Sequence, residues 1–154
     1  VNQFLSTIVG VVCSDGIILG TEKIVQSKMM VSGTDKRTYS VTKSIGSVFN
    51  GIAPDGRCVM FRAEMNASSM EEFGIKTPGA VLAERISLFF HQKTMSNGQR
   101  PYGTSLILAT HDLMRGPALW MIEPSGQMFS TMGVQPDVES NWQETKLKKA
   151  NSDK

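Results

Sequence analysis

Two short apolar runs, Thr7–Cys13 and Ile17–Thr21, stand on either side of Ser14-Asp15-Gly16. Asp-Gly between apolar runs predicts an antiparallel hairpin. Thr38–Val41 and Ile45–Ile52 read as two more strands, and Ala53-Pro54-Asp55-Gly56 breaks the pattern. From Arg57 the period changes to that of a helix. Val59, Ala63, Asn66/Ala67, Met70 and Phe73 share one face, with Arg62, Glu64 and Glu71 mostly off it. Gly74 is placed to end this helix. A second helix is predicted with Thr77 as N-cap and Pro78 in the first turn, where a missing N–H costs nothing. Leu82, Ile86, Phe89, Phe90 and Lys93 continue it.

Arg100-Pro101-Tyr102-Gly103 cannot be helical, because proline fixes its own φ and holds Arg100 extended. It feeds Ser105–Ala109, which reads as a buried strand. Ala118–Ile122 and Gln127–Met132 follow, with Arg115-Gly116-Pro117 and Pro124-Ser125-Gly126 as separators. Glu139–Ala150 reads as a polar helix anchored by Trp142 and Leu147. Strands, then two helices, then strands, then a helix is an α+β order rather than alternating βαβ.

Composition narrows the function classes only a little. The 154 residues fit one domain able to bury a real core, with no repeat, linker or low-complexity tract. The net charge is +2, and Lys146-Lys148-Lys149 is the only lysine cluster. No nucleic-acid partner is expected from that pattern. No apolar stretch reaches membrane-spanning length, and no charged region leads into an apolar one at the start, so neither a membrane partner nor a signal peptide is expected. Cys13 and Cys58 lack metal-ligand spacing and read as buried thiols in a reducing compartment. The ten methionines read as core-facing. His91 falls on the polar side of the second helix or at its edge, and His111 in a turn with Asp112; both read as solvated or capping residues. Gly-x-Ser-x-Gly, Gly-x-Gly-x-x-Gly and phosphate-loop motifs are absent from the sequence, and no metal or cofactor is expected.

Taken as an ordered set, several segments point further. They are Thr7-Ile8-Val9-Gly10, the stretch Ser14–Lys23, Lys36-Arg37-Thr38-Tyr39-Ser40-Val41, Gly51-Ile52-Ala53-Pro54-Asp55-Gly56-Arg57, Gly98–Ser105 and Ile122-Glu123-Pro124-Ser125-Gly126. In this order and spacing the chain resembles the α-type subunits of the 20S proteasome, from about Ser6 to about Lys149. The resemblance implies a four-layer sandwich: two stacked antiparallel sheets flanked by helices. It implies a single proteasome-type domain over 1–154, incomplete at both ends, with 135–154 as a polar helix and tail. Residues 33–41 look most like the seventh subunit of the ring. The implied setting is ubiquitin-dependent protein degradation in cytoplasm and nucleus. The implied partners are other α and β subunits and the C-terminal tails of activators.

The resemblance implies the fold family of N-terminal-nucleophile hydrolases, in which a free N-terminal threonine attacks the peptide carbonyl. The matching position here is Ser6, the matching carboxylate Glu22 and the matching lysine Lys36. A catalytic reading uses these three, with residues 1–5 removed to free Ser6. Against it, Ser6 is internal, Leu5 replaces the preceding glycine, and Gln135-Pro136-Asp137 replaces a small supporting segment. The other reading is a non-catalytic structural subunit. There Lys36 lines a pocket between neighbouring subunits and meets the carboxylate of an activator tail, and Gly51 leaves room at the pocket wall.

Overall fold

The computed structural model describes residues 6–23, 25, 27–31, 33–112, 116–131 and 133–134. The predicted hairpin forms: β1 (Ile8–Val12) runs antiparallel to β2 (Ile17–Thr21), with Val12 opposite Ile17. A second pair, β3 (Thr38–Thr42) and β4 (Ile45–Gly51), begins a larger sheet. Two helices follow, α1 (Ala53–Glu71) and α2 (Gly79–Met95). Then come β5 (Thr104–Asp112), β6 (Gly116–Ile122), β7 (Met128–Thr131) and β8 (Gly133–Val134). The larger sheet has the order β3-β4-β5-β6-β7, and the smaller one β2-β1-β8; every pairing is antiparallel.

The α+β expectation holds, and the layers follow from strand alternation. Successive side chains of a strand point to opposite faces. Leu106 and Leu108 of β5, Phe49 of β4 and Ile122 of β6 therefore join the inner faces of α1 and α2 in one core. Ile107, Val48, Leu119 and Met121 point the other way and join Ile8 of the small sheet in a second core. The central strands read as unbroken apolar runs because both of their faces are covered. Among the described residues this gives three layers, helices on sheet on sheet. The polar helix expected over Glu139–Ala150 lies outside the described residues, as does the rest of 135–154.

The helix boundaries differ from expectation for local reasons. α1 starts at Ala53 rather than Arg57, because Pro54 fits the first turn and does not break it. Its inner face carries Val59, Ala63 and Ala67 as expected, plus Met60 and Gly56. The chain then closes as a Schellman turn: Gly74 N–H bonds Glu71 O at 2.8 Å, Ile75 N–H bonds Met70 O at 3.3 Å, and Gly74 has φ +71°. Phe73 lies past the end of the helix and is 81% exposed, not on the inner face. α2 starts at Gly79 after Pro78, and Thr77 does not cap it; the Thr77 hydroxyl donates to Ala67 O instead, at 3.3 Å. An absent side-chain cap costs about 1 kcal/mol. Leu82, Ile86 and Phe90 are fully buried and offset that loss, since each contributes about 1.5–3 kcal/mol.

Other expectations are corrected too. His111 and Asp112 belong to β5, opposite Pro117 and Gly116, not to a turn. Cys58 is exposed and Cys13 half-buried, so neither is a fully buried thiol. The methionines are not uniformly core-facing: Met60 and Met121 are buried, but Met29 and Met95 are exposed.

Candidate functional site

The site predicted from sequence lies at the end of the sandwich where β1 begins and β4 ends. Ser6 is fully buried there. Its backbone N–H donates to Asn50 Oδ1 at 2.9 Å. Its hydroxyl has no hydrogen-bond partner among the described residues, and the Thr104 hydroxyl at the start of β5 is in the same position. Glu22 makes no hydrogen bond to the Ser6 hydroxyl. Its carboxylate accepts from Thr7, the next residue, through the backbone N–H at 3.3 Å and the hydroxyl at 3.1 Å. Glu22 thereby ties the start of β1 to the end of β2.

Lys36 is exposed, with its ammonium 5.0 Å from the centre of the Tyr39 ring. Pairing of Thr38 with Val48, continued by the Phe49 N–H to Arg37 O bond at 3.2 Å, sets the Lys36 backbone level with Asn50. Lys36 and Gly51 thus share one end of the fold. The residue that bonds Gly51 is the neighbouring Arg37, whose Nη1 donates to Gly51 O at 3.0 Å. Arg37 is 8% exposed, pairs with Asp35 through Nε at 3.3 Å, and lies 5.8 Å from the Phe49 ring centre.

The Pro54-Asp55-Gly56 and Arg100-Pro101-Tyr102-Gly103 segments turn out to be partners. Arg100 donates to Asp55 through both terminal nitrogens, at 2.6 and 2.8 Å, and Gly103 N–H donates to the same carboxylate at 3.0 Å. Such a forked pair fixes geometry as well as charge. Asp55 is buried in the first turn of α1, where a negative charge also suits the helix dipole. Arg100 is 63% exposed, so the anchoring end of the pair is the carboxylate. The sequence held the signal, opposite charges beside Pro and Gly in both loops, but nothing in it joined residues forty-five positions apart. Asn50, Thr104 and the role of Arg37 were likewise not read from the sequence.

The Arg100 hydrogen bonds lower the Asp55 pKa, aided by the Gly103 N–H and opposed by burial. Tyr102 is pushed the other way, up to about 12, by burial and by its contact with Cys58 at 3.6 Å. A lowered folded-state value for Asp55 contributes stability that is fully present above the ordinary carboxylate value, about 3.9, and is lost as pH falls through the folded value. Asp55→Asn is therefore expected to cost about 1–3 kcal/mol at neutral pH. The gap from the unsubstituted chain should narrow as pH falls below about 4. Urea unfolding of both proteins across that range checks it; a gap independent of pH would contradict it.

The described residues hold no group of three or more metal-ligating side chains, and no helix is long and apolar enough to cross a membrane. A cavity of about 360 Å³ lies at the opposite end of the sandwich, among Ile17, Lys43, Ser44 and His111, and contains none of the predicted site residues.

Comparison with known proteins places the chain in a family. The family described as proteasome subunit matches residues 5–134. The chain is 38% identical over 146 residues to the proteasome subunit alpha type-3 of Arabidopsis thaliana, covering 94% of this chain and 58% of that protein. Against the alpha type-3 subunit of Spinacia oleracea it is 40% identical over 129 residues, covering 83% of this chain and 51% of that one. Against the probable alpha type-7 subunit of Schizosaccharomyces pombe it is 36% identical over 130 residues, covering 84% and 51%. The chain thus spans somewhat more than half the length of these relatives. Both sheets, both helices and the whole of the Ser6–Gly51 end fall inside the matched span, and the chain belongs to the proteasome subunit family.

Proposed function

We propose that the chain is a non-catalytic structural subunit of a 20S proteasome α ring, contributing to its antechamber in ubiquitin-dependent protein degradation in cytoplasm and nucleus. The observation that carries the non-catalytic reading is the state of Ser6. In an N-terminal nucleophile the base is the residue's own free α-amine, whereas the Ser6 nitrogen is an amide that donates to Asn50 Oδ1 at 2.9 Å and has no basic lone pair. Among the described residues the buried Ser6 hydroxyl has no hydrogen-bond partner, and the carboxylate at the matching position is engaged by Thr7. The α-type names of the relatives support the ring assignment.

Two surfaces fit such a role. Lys36 and Gly51, at one end of the sandwich, suit a pocket that takes the carboxylate of an activator's C-terminal tail. The outer side of the helical layer leaves Phe61 65% and Leu88 60% exposed, beside a groove of about 330 Å³ lined by Arg62, Arg85 and Phe89. This side would face another subunit of the particle. On α1, Phe61 is left on this outer side, whereas Val59 and Met60 are buried in the core.

Ser6→Ala tests the central reading. It deletes a buried hydroxyl that has no hydrogen-bond partner among the described residues, so the change should be neutral or stabilising by up to about 1 kcal/mol. Peptide hydrolysis by the assembled particle should be unchanged. Loss of one hydrolytic activity on Ser6→Ala, with a mature chain beginning at Ser6, would establish the peptidase reading instead.

A further inference from the structure

Gly51 is gripped from two sides. Its carbonyl accepts from Arg37 Nη1 at 3.0 Å, and Arg37 is itself held by Asp35. On the other side its backbone lies against Gly103: a Cβ on Gly51 would sit 2.1 Å from Gly103 O. That carbonyl accepts from Ile52 N–H at 2.9 Å. Gly103 N–H in turn donates to Asp55, which the Arg100 fork fixes. Lys36 is the residue next to Arg37 and level with Asn50, so it rides on the same assembly.

We infer that the pairs Asp35–Arg37 and Asp55–Arg100 are positioning residues: they lock the crossing of Gly51 and Gly103, and so set the distance between the pocket wall and the Lys36 ammonium. Neither pair touches the incoming carboxylate; each acts through the backbone of Gly51. The inference rests on the proposed docking of a carboxylate at Lys36. A site of this kind gains affinity when its charged donor is held in place before the ligand arrives.

The test uses particles assembled with this chain and its neighbouring subunits. The probe is a fluorescent peptide of an activator tail with a free C-terminal carboxylate, and its control is the same peptide ending in an amide. Lys36→Met should abolish the preference for the carboxylate. Asp55→Asn and Arg100→Lys, which keeps the charge but loses the fork, should weaken carboxylate binding by on the order of tenfold and leave amide binding unchanged. If Asp55→Asn does not assemble, Arg100→Lys decides, since its guanidinium is mostly exposed. If both variants keep the carboxylate preference while Lys36→Met loses it, the positioning role is wrong and docking stands. An equal loss for both peptides would mean that the Asp55–Arg100 pair only holds the fold, and Asp35→Asn, read the same way, decides the Asp35–Arg37 pair. If Lys36→Met changes nothing, docking at Lys36 is itself wrong, and this inference falls with it.

Discussion

Gly51→Ala is expected to be among the most damaging single substitutions in the chain. Two costs combine there. Gly51 has φ +104°, a backbone conformation that side-chain-bearing residues rarely adopt, and its new Cβ would sit 2.1 Å from a backbone oxygen, Gly103 O, and 3.0 Å from Thr104 Cα. Backbone strain costs about 1–3 kcal/mol and overpacking another ~1–3 kcal/mol. No side chain can rotate away to relieve the contact, because the obstacle is main chain paired across β4 and β5. Against a total stability of about 5–15 kcal/mol, such a loss should leave a large unfolded fraction at physiological temperature. Gly33→Ala is the control. Its φ is +94° but nothing lies within 4 Å of its added Cβ, so only strain remains. Denaturant unfolding of both variants should show Gly51→Ala losing at least twice as much as Gly33→Ala. Equal losses would mean that the Gly51–Gly103 crossing can open at little cost.

The second large effect concerns Phe49 and Gly56. Phe49 is 1% exposed and fills the core between β4 and α1, with the Tyr39 ring stacked 6.0 Å away. Phe49→Ala should cost about 3–5 kcal/mol through lost burial and the cavity left behind. Gly56 in the first turns of α1 has no room for a side chain: its Cβ would lie 2.2 Å from the Phe49 ring. Gly56→Ala alone should therefore destabilise, even though alanine is the better helix former by about 1 kcal/mol. With Phe49→Leu the ring is gone and the added methyl has space. The double variant should be more stable than the sum of the two single losses predicts, by about 0.5–3 kcal/mol, the range for residues in contact. Strict additivity in a double-mutant cycle would show that α1 does not rest on Phe49 in solution.

The same residues show how much was legible beforehand. The β1–β2 hairpin, the strands β3 to β7 and the helical stretch of α1 and α2 follow from local signals: period, Asp-Gly, Pro and Gly. Errors sit where a residue type supports two local structures. Pro54 ends a strand or opens a helix, and it opens one. Thr77 can cap a helix or bond elsewhere, and Ala67 O claims it. Phe73 fits the periodicity of α1 but falls beyond the point where Gly74 turns the chain. β8 is two residues long and carries no pattern; it exists because it pairs with Gly10 and Val11 of β1.

Local chemistry in the sequence determined that this chain builds antiparallel strands around two helices, and the ordered motifs identified Ser6, Glu22, Lys36 and Gly51 as the positions to inspect. Tertiary structure alone decided what those positions do to one another. Ser6 and Glu22 are sixteen residues apart in sequence, and whether they meet depends on how the hairpin twists; the fold gives Glu22 to Thr7. Arg37 and Lys36 are equal candidates as cations, but the segment leading into β3 turns Arg37 inward to Gly51 and leaves Lys36 exposed. Asp55 and Arg100 are joined only when the end of α2 returns the chain to the start of α1. Pair contacts between distant residues depend on direction and register, and these are set when whole elements pack, not by the identity of any residue.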